Sequence, residues 1–147
     1  MPSGYHDVHL EIHSTIEALD LVQAVTEHIT RQLGFDEEAV HWTTMAVRES
    51  VVNAIAHGND SDPAKIVFID YAATPPSDPA DFIVTVRDQG PGFDPEDIKD
   101  CLTPENMLST SGRGVFLIRQ FMDHVSMRRS PLGGMEVRMS KRIRQGE

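Results

Sequence analysis

Three polar side chains of different chemistry recur every four residues in one short segment of the chain. Glu49, Asn53 and His57 lie in the stretch RESVVNAIAHGND, which otherwise consists mainly of Val, Ala and Ile. Residues four apart share one face of a helix, so the spacing predicts a single polar column. A carboxylate base one turn from a neutral amide oxygen suits a Mg²⁺ ion held between a protein and phosphates. A solvated helix face is the alternative interpretation.

Two features favour a binding role for this column. Asn is a poor helix former, so it is a costly choice for an exposed helix interior. The small residues Ala46, Ser50 and Ala56 are expected to lie near the column and to leave room for a ligand. The opposite side of the helix is expected to pack on a sheet through Val40, Thr44, Val47, Val51 and Ala54.

A first glycine motif, DQGPGF, directly follows a predicted strand and runs from Asp88 to Phe93. Gly90 and Gly92 carry no side chain, so the backbone there can approach a flat ligand closely. A buried Asp88 carboxylate would accept a hydrogen bond from an exocyclic amino group, which adenine has and guanine lacks at that position. An ordinary turn is the alternative, because Asp, Gly and Pro are all common in turns.

A second glycine motif, TSGRGVFLIRQF, places residues 111–114 just before a predicted helix. Free N–H groups at a helix start, together with the helix dipole, form an anion site. Arg113 adds positive charge for phosphate oxygens. A plain junction between a loop and a helix would give the same local pattern.

Hydrophobic periodicity predicts the elements that carry these motifs. The order β-α-α-β-β-loop-α-β-β indicates one mainly antiparallel or mixed sheet with helices packed on one face. Ser14 and Glu17 predict a capping box for the first helix, Gly34 its end, and Asp36 the cap of the second. The predicted strands span residues 7–14, 64–72, 82–88, 124–130 and 135–142, and the predicted helices end near Leu33, His57 and Val125.

Composition limits the function further. The formal net charge of −10 argues against a nucleic-acid-binding protein. No apolar run is long enough to span a bilayer, and the start lacks the features of a signal peptide. The single cysteine, Cys101, excludes an internal disulfide, so we expect a cytoplasmic protein. Residues 113–144 hold eight of the thirteen basic residues, which favours a solvated outer sheet face over a docking patch for an acidic partner.

Some residues are better explained by packing or exposure than by chemistry. His9, Glu11 and His13 share one face of the first strand, but an exposed sheet edge is the favoured interpretation over a metal site. Trp42 is expected to serve packing.

The three polar motifs together resemble a known set. Their order resembles the N, G1 and G2 boxes of the histidine-kinase-like ATPases, and the stretch PENMLSTSGRGVFLIRQFMDHV resembles the anti-sigma-factor serine/threonine kinase branch. The resemblance covers nearly the whole chain. It implies an α/β sandwich (α+β) of the histidine-kinase-like ATPase fold, with a mixed, mainly antiparallel sheet, in a single domain over residues 1–147.

The resemblance also implies a role for each matching residue. Glu49 would be the general base, Asn53 a ligand of Mg²⁺ at the nucleotide, and Asp88 the residue that binds adenine. Residues 94–112 would form the ATP lid. The other implied nucleotide-binding residues are His57, Gly90, Gly92, Phe93, Ser111, Gly112, Arg113, Gly114 and Val115.

The implied function is that of a cytoplasmic kinase with ATP and Mg²⁺ as cofactors. It would phosphorylate an anti-anti-sigma protein and sequester a sigma factor, without direct contact with nucleic acid or membrane; a homodimer is compatible with this role. A sensor histidine kinase is not expected, because only residues 1–35 precede the helix with the polar column. Two alternatives stay open: a nucleotide-gated binding module without phosphoryl transfer, and a switch kinase in a stress-signalling complex.

Overall fold

The structure, a computed structural model, describes residues 7–75, 80–91 and 118–143. Strand β1 (Val8–His13) leads through a 3₁₀ turn (Ile16–Ala18) into helix α1 (Leu19–Gln32). Helix α2 (Glu37–Asn53) passes directly into a turn of π-helix, Ala54–Gly58, called the π turn below. The remaining elements are β2 (Ile66–Thr74), β3 (Asp81–Arg87), helical residues 118–121, β4 (His124–Arg129) and β5 (Met135–Arg142).

The described strands form one antiparallel sheet in the order β1-β2-β3-β5-β4. Residues of β2 and β3 alternate between a buried and a more exposed face, as a sheet covered on one side requires. The buried strand residues share one core cluster with residues of α1 and α2. The predicted order of the strands and of the first two helices, and the packing of these helices on one face, are therefore confirmed. The predicted loop and the start of the third helix lie outside the described residues.

Helix α2 packs on the sheet through the residues that the periodicity predicts. Val40, Val47 and Val51 are 2% exposed or less, and Thr44 and Ala54 are also buried. Burying one such valine stabilises the fold by about 1.5–3 kcal/mol. The apolar stripe of α2 thus fixes the rotation of the helix and with it the side on which Glu49 and Asn53 lie.

The predicted helix boundaries at Asp36 and Gly34 agree with the structure. Asp36 caps α2 by accepting a hydrogen bond from the Ala39 N–H at 2.7 Å, and Gly34 ends the α1 segment with a φ of 89°. The capping box at Ser14 is wrong. Its hydroxyl donates to the Lys65 carbonyl at 2.9 Å, because the chain at this point still runs beside the start of β2.

The predicted end of the second helix is also wrong in form. The α-helix stops at Asn53, and the π turn carries the chain on to Gly58. A π-helix has more residues per turn than an α-helix, so the four-residue register of the polar column does not continue from Asn53 to His57.

The predicted end of the third helix near Val125 is wrong, because the helical residues stop at Phe121 and strand β4 already pairs with β5 from His124 onward.

The outer surfaces agree with the expected exposure. His9, Glu11 and His13 are exposed on the edge strand β1, and the Asp70 carboxylate, 2.6 Å from His9 Nδ1, raises the pKa of that imidazole above its ordinary value. Arg138 is exposed on the outer face of β5. None of the helices in the described residues is long and apolar enough to cross a membrane.

Trp42 has the expected packing role. Its ring stacks on that of Phe121, with the ring centroids 4.6 Å apart and an angle of 19° between the planes. This contact joins the first half of α2 to the helical residues 118–121.

Candidate functional site

Glu49 and Asn53 lie one turn apart on α2, and both are half-buried. Neither the Glu49 carboxylate nor the Asn53 carboxamide has a hydrogen-bond partner among the residues that the structure describes. Because both side chains are half-buried and not fully enclosed, they are available to a ligand.

The expectation that small residues leave open space beside the column is wrong for two of its three members. Ala46 is 0% exposed and Ser50 is 2% exposed. Both residues face the protein interior. The buried side of α2 is therefore wider than the predicted stripe of Val40, Val47 and Val51. Ala56, in the π turn, is half-buried.

His57 departs from the column. It is exposed and belongs to the π turn, while Glu49 and Asn53 belong to the regular helix. The π turn is closed by a hydrogen bond from the Asn59 N–H to the Ala54 carbonyl at 2.8 Å, a spacing of five residues. Single turns of this kind are frequent at functional sites.

Asp88 follows directly on β3 and is 4% exposed. Its Oδ1 accepts two backbone hydrogen bonds, from the Gly90 N–H at 2.9 Å and from the Met135 N–H at 3.1 Å. No residue in the described part of the chain donates to Oδ2. The carboxylate is thus fixed through one oxygen and retains the other as an acceptor.

Three glycines surround this carboxylate. A Cβ on Gly58 would lie 2.1 Å from Asp88 Oδ2, and one on Gly134 would lie 2.0 Å from the Asp88 carbonyl oxygen. A Cβ on Gly90 would lie 1.8 Å from the carbonyl oxygen of Gly58. Any side chain at these positions would push the π turn, the β3 end and the β4–β5 hairpin apart. Gly90 allows a close approach between two backbone segments here, and its predicted approach to a flat ligand stays a prediction.

The Asn59 side chain joins the end of β3 to the start of β2 and to the residue that follows β1. It is 0% exposed, its Oδ1 accepts from the Gln89 N–H at 2.7 Å, and its Nδ2 donates to Ser14 Oγ at 2.9 Å and to the Ile66 carbonyl at 3.0 Å. Sequence reasoning missed Gly58, Asn59 and Gly134 as parts of the site. The available signal was the HGN stretch at the end of a predicted helix, which we interpreted only as a stop.

The donor set fits an adenine nucleotide with Mg²⁺. Asp88 Oδ2 is a buried acceptor for an amino group, and the Asn53 carboxamide oxygen is a hard ligand of the kind that Mg²⁺ prefers. Among the described residues no group of three or more His, Cys, Asp or Glu side chains could hold a metal ion. A cation at Asn53 would therefore need phosphate and water oxygens to complete its coordination.

Several predicted nucleotide-binding residues lie outside the described residues. These are Gly92, Phe93, Ser111, Gly112, Arg113, Gly114 and Val115, together with the predicted lid, residues 94–112.

A family model described as the histidine kinase-like ATPase domain matches residues 12–141. The chain belongs to this family. The match runs from the end of β1 through both helices and the Asp88 turn to nearly the end of β5, so it covers every described residue of the candidate site. The resemblance inferred from the three motifs is confirmed.

Relatives in bacteria carry two kinds of names. The chain is 34% identical over 99 residues to an anti-sigma F factor of Halalkalibacterium halodurans, spanning 66% of this chain and 65% of that protein. It is 30% identical over 142 residues to an anti-sigma F factor of Geobacillus thermodenitrificans, spanning 94% and 93%. A serine-protein kinase RsbW of Oceanobacillus iheyensis is 25% identical over 157 aligned residues, spanning 99% and 92%. The chain therefore aligns with just under two thirds of the first relative and with over nine tenths of the other two.

Solved structures share the fold at low sequence identity. The RsbU and RsbW domains of a Mycobacterium tuberculosis protein match with a TM-score of 0.65 at 18% identity, over 93% of this chain and 32% of that one. The mycobacterial sensor histidine kinase MprB matches with a TM-score of 0.58 at 18% identity, over 93% and 99%. These likenesses confirm the predicted fold class.

Proposed function

We propose that this chain is an ATP- and Mg²⁺-dependent serine/threonine protein kinase that acts as an anti-sigma factor. One observation carries the proposal. The buried Asp88 carboxylate keeps Oδ2 free of described donors, and it lies against Gly58 at the end of the same helical segment that presents Glu49 and Asn53. The proposed acceptor for the adenine base thus packs against the end of the helical segment in which Asn53 would bind a phosphate-bound cation and Glu49 would serve as the general base.

Asp88 would select the base. Two backbone N–H groups on Oδ1 hold the carboxylate in one orientation, so Oδ2 has a fixed direction. A carboxylate oxygen attracts an N–H donor such as the exocyclic amino group of adenine and repels the carbonyl oxygen that guanine has at that position. Hydrogen bonds to charged groups are worth about 1.5–3 kcal/mol, which is enough to discriminate between the two bases.

Asn53 and Glu49 would act at the phosphate end. When bound, Mg²⁺ neutralises phosphate charge and orients the group to be transferred. The Asn53 carboxamide oxygen would hold the ion as a neutral ligand. Glu49, one turn earlier and without a described partner, would accept the proton of the incoming Ser or Thr hydroxyl.

The partners follow from the relatives. Two of the relatives described above are named anti-sigma F factor and one is named serine-protein kinase. We therefore assign to this chain two protein partners in the cytoplasm. It would bind and sequester a sigma factor, and it would phosphorylate a small anti-anti-sigma protein.

Transfer of the labelled γ-phosphate of ATP to a purified anti-anti-sigma protein of the same organism tests this assignment. We expect label on a Ser or Thr of that protein with Mg²⁺ present and none after chelation. ATP binding and partner binding without transfer would overturn the kinase and support a nucleotide-gated binding module. A chain that binds no ATP would overturn both.

A further inference from the structure

We propose that Asn59 is a positioning residue that sets the geometry of the base site by separating strands β2 and β3 at their ends. Its carboxamide takes the place of one backbone pair and directs Gln89 and Gly90 out of the sheet. The effect of Asn59 on the selection of adenine rests on the proposed function. The hydrogen bonds by which Asn59 separates the strands do not depend on any ligand.

The strand register shows what Asn59 replaces. In the β2–β3 ladder Phe68 pairs with Arg87, so the same register would place Ile66 opposite Gln89. A hydrogen-bonded antiparallel pair exchanges two N–H···O=C bonds. Here the Gln89 N–H donates to Asn59 Oδ1 at 2.7 Å and the Ile66 carbonyl accepts from Asn59 Nδ2 at 3.0 Å. The side-chain amide is thus inserted between the two backbone groups that a continued ladder would join.

The other half of the same pair is replaced as well. The Ile66 N–H, which would donate to the Gln89 carbonyl, donates instead to Gln89 Oε1 at 2.6 Å. Both bonds of the missing pair are therefore made through side chains, one by Asn59 and one by Gln89. The strands therefore separate while the Gln89 N–H and both backbone groups of Ile66 keep hydrogen-bond partners; a buried group left without a partner would cost about 1–3 kcal/mol.

Strand β5 holds the opposite side of the turn. The Asp88 N–H donates to the Met135 carbonyl at 3.1 Å, so Asp88 stays in line with the sheet on this side. The Met135 N–H donates to the Asp88 carboxylate in place of its carbonyl. Asp88 is therefore held by β5, and Asn59 determines the direction of the backbone after Asp88.

The direction of the backbone after Asp88 determines the orientation of the Asp88 carboxylate, which is the proposed acceptor for adenine. Gly90 turns back so that its N–H reaches Asp88 Oδ1 at 2.9 Å and its Cα lies against the Gly58 carbonyl. If β2 and β3 paired directly at Ile66 and Gln89, Gly90 would follow β2 and lose this position. The Asp88 carboxylate would then lose the hydrogen bond from the Gly90 N–H and keep only the one from the Met135 N–H.

Asn59 is itself placed by the π turn. Its N–H bonds to the Ala54 carbonyl, and the next two residues, Asp60 and Ser61, have φ values of 53° and 54°. An unusual helix end followed by two residues in the left-handed region carries Asn59 into the sheet edge. Because the side chain is 0% exposed and uses both amide hydrogens, it acts through Gln89 and does not contact a ligand.

The substitution Asn59→Ala tests the proposal. It removes the inserted amide, so the Gln89 N–H and the Ile66 carbonyl can pair directly. We expect ATP affinity to fall by about 5- to 100-fold, the scale of one or two lost buried hydrogen bonds. The ratio of ATP to GTP affinity, measured by calorimetry, should fall as well. A loss of general stability alone would lower the melting temperature and leave this ratio unchanged for the folded protein.

Two further variants keep the result interpretable. Ser14→Ala is the matched control, since it removes a hydrogen bond of the same Asn59 amide without affecting Gln89; it should lower the melting temperature and preserve the ATP to GTP ratio. Gln89→Ala removes the exposed side chain whose Oε1 accepts from the Ile66 N–H. If Asn59→Ala does not fold, this variant tests whether the side-chain bonds between β2 and β3 affect base selection. It should reduce the ratio in the same direction.

The outcomes separate this inference from the proposed function. A wild-type protein that binds no adenine nucleotide overturns the proposed function, and the role of Asn59 in base selection with it. A wild-type protein that prefers ATP, together with Asn59→Ala and Gln89→Ala variants that keep the full preference, overturns the role of Asn59 alone.

Discussion

Gly58, the last residue of the π turn, lies directly against the Asp88 carboxylate. A Cβ on Gly58 would stand 2.1 Å from Asp88 Oδ2 and 2.3 Å from Asp88 Cγ. The helix that carries Glu49 and Asn53 is therefore joined to the base site at a point where a hydrogen atom is the largest group that fits. The distance between the two halves of the proposed active site depends on this contact.

The variant Gly58→Ala is expected to displace the Asp88 carboxylate. Gly to Ala in a helical turn usually stabilises by about 0.5–1 kcal/mol, so a lower melting temperature would itself report the clash. We expect ATP affinity to fall by about tenfold or more, because the charge-assisted bond at Oδ2 is lost or misdirected. Calorimetric titration with ATP measures the effect. Wild-type affinity in a stable Gly58→Ala protein would show that Oδ2 does not face the nucleotide.

The variant Asp88→Asn keeps the size of the side chain and changes its chemistry. The amide oxygen can still accept from the Gly90 and Met135 N–H groups, so the amide nitrogen takes the place of Oδ2. A donor then faces the amino group of adenine. We expect ATP binding to weaken by about 1–3 kcal/mol, and GTP to bind poorly to the wild-type protein. Equal affinities of the wild-type protein for ATP and GTP in calorimetry would contradict the role of Asp88.

The sequence predicts the fold well because buried residues recur at short, regular intervals along each helix and strand. The valines of α2 and the alternating residues of β5 lie where their periodicity places them, since one covered sheet face imposes a period of two on strands and of 3.6 on helices. Asp36 and Gly34 act as the predicted helix boundaries for equally local reasons. Ser14 does not, because its partner Lys65 is distant in sequence and outcompetes the local cap.

The candidate site is predicted only in part for a related reason. Asp88 is recognisable because its role follows from its own motif. Gly58, Asn59 and Gly134 matter through contacts with segments that are 30 or more residues away, such as the bond from Gln89 to Asn59. The π turn is likewise invisible to a periodicity of 3.6, and it is what takes His57 out of the column.

The stability of the core should depend on pH through Tyr71. Burial raises the pKa of its phenol to about 12, and the hydroxyl bonds to Thr26 Oγ1 at 2.7 Å. Thr26 donates its own hydrogen to the Val22 carbonyl, so Tyr71 is the donor in this bond. The unfolded chain ionises near pH 10, and the folded chain holds the proton until about pH 12. Since the folded state then binds more protons, its stability is complete below pH 10 and falls as the pH rises toward 12.

The variant Tyr71→Phe isolates this contribution. Below pH 10 it should be less stable than the wild type by about 0.5–1.5 kcal/mol, the net value of one hydrogen bond. Between pH 10 and 12 the difference should shrink, because only the wild type has a buried phenol to ionise. Urea unfolding at a series of pH values measures both effects. A difference that stays constant up to pH 12 would contradict the raised pKa of Tyr71.

The division of labour between Glu49 and Asn53 gives the most direct test of the chemistry. Glu49→Gln keeps the shape of the side chain and removes the base, so ATP should still bind while phosphoryl transfer falls by about 10²–10⁴-fold. Asn53→Ala should weaken binding of the Mg²⁺–ATP complex itself, because it removes a ligand of the ion. Transfer rates and calorimetric affinities, measured on the same preparations, separate the two effects.

A matched control for Glu49→Gln exists on the same helix. Glu38→Gln removes an equal charge from the exposed first turn of α2 and should change neither quantity. Wild-type transfer by Glu49→Gln to every partner tested would exclude Glu49 as the base. Equal losses of ATP affinity in the Glu49→Gln and Asn53→Ala variants would show that the two side chains act as one electrostatic unit, since a base that acts only on the incoming hydroxyl has no reason to affect nucleotide binding.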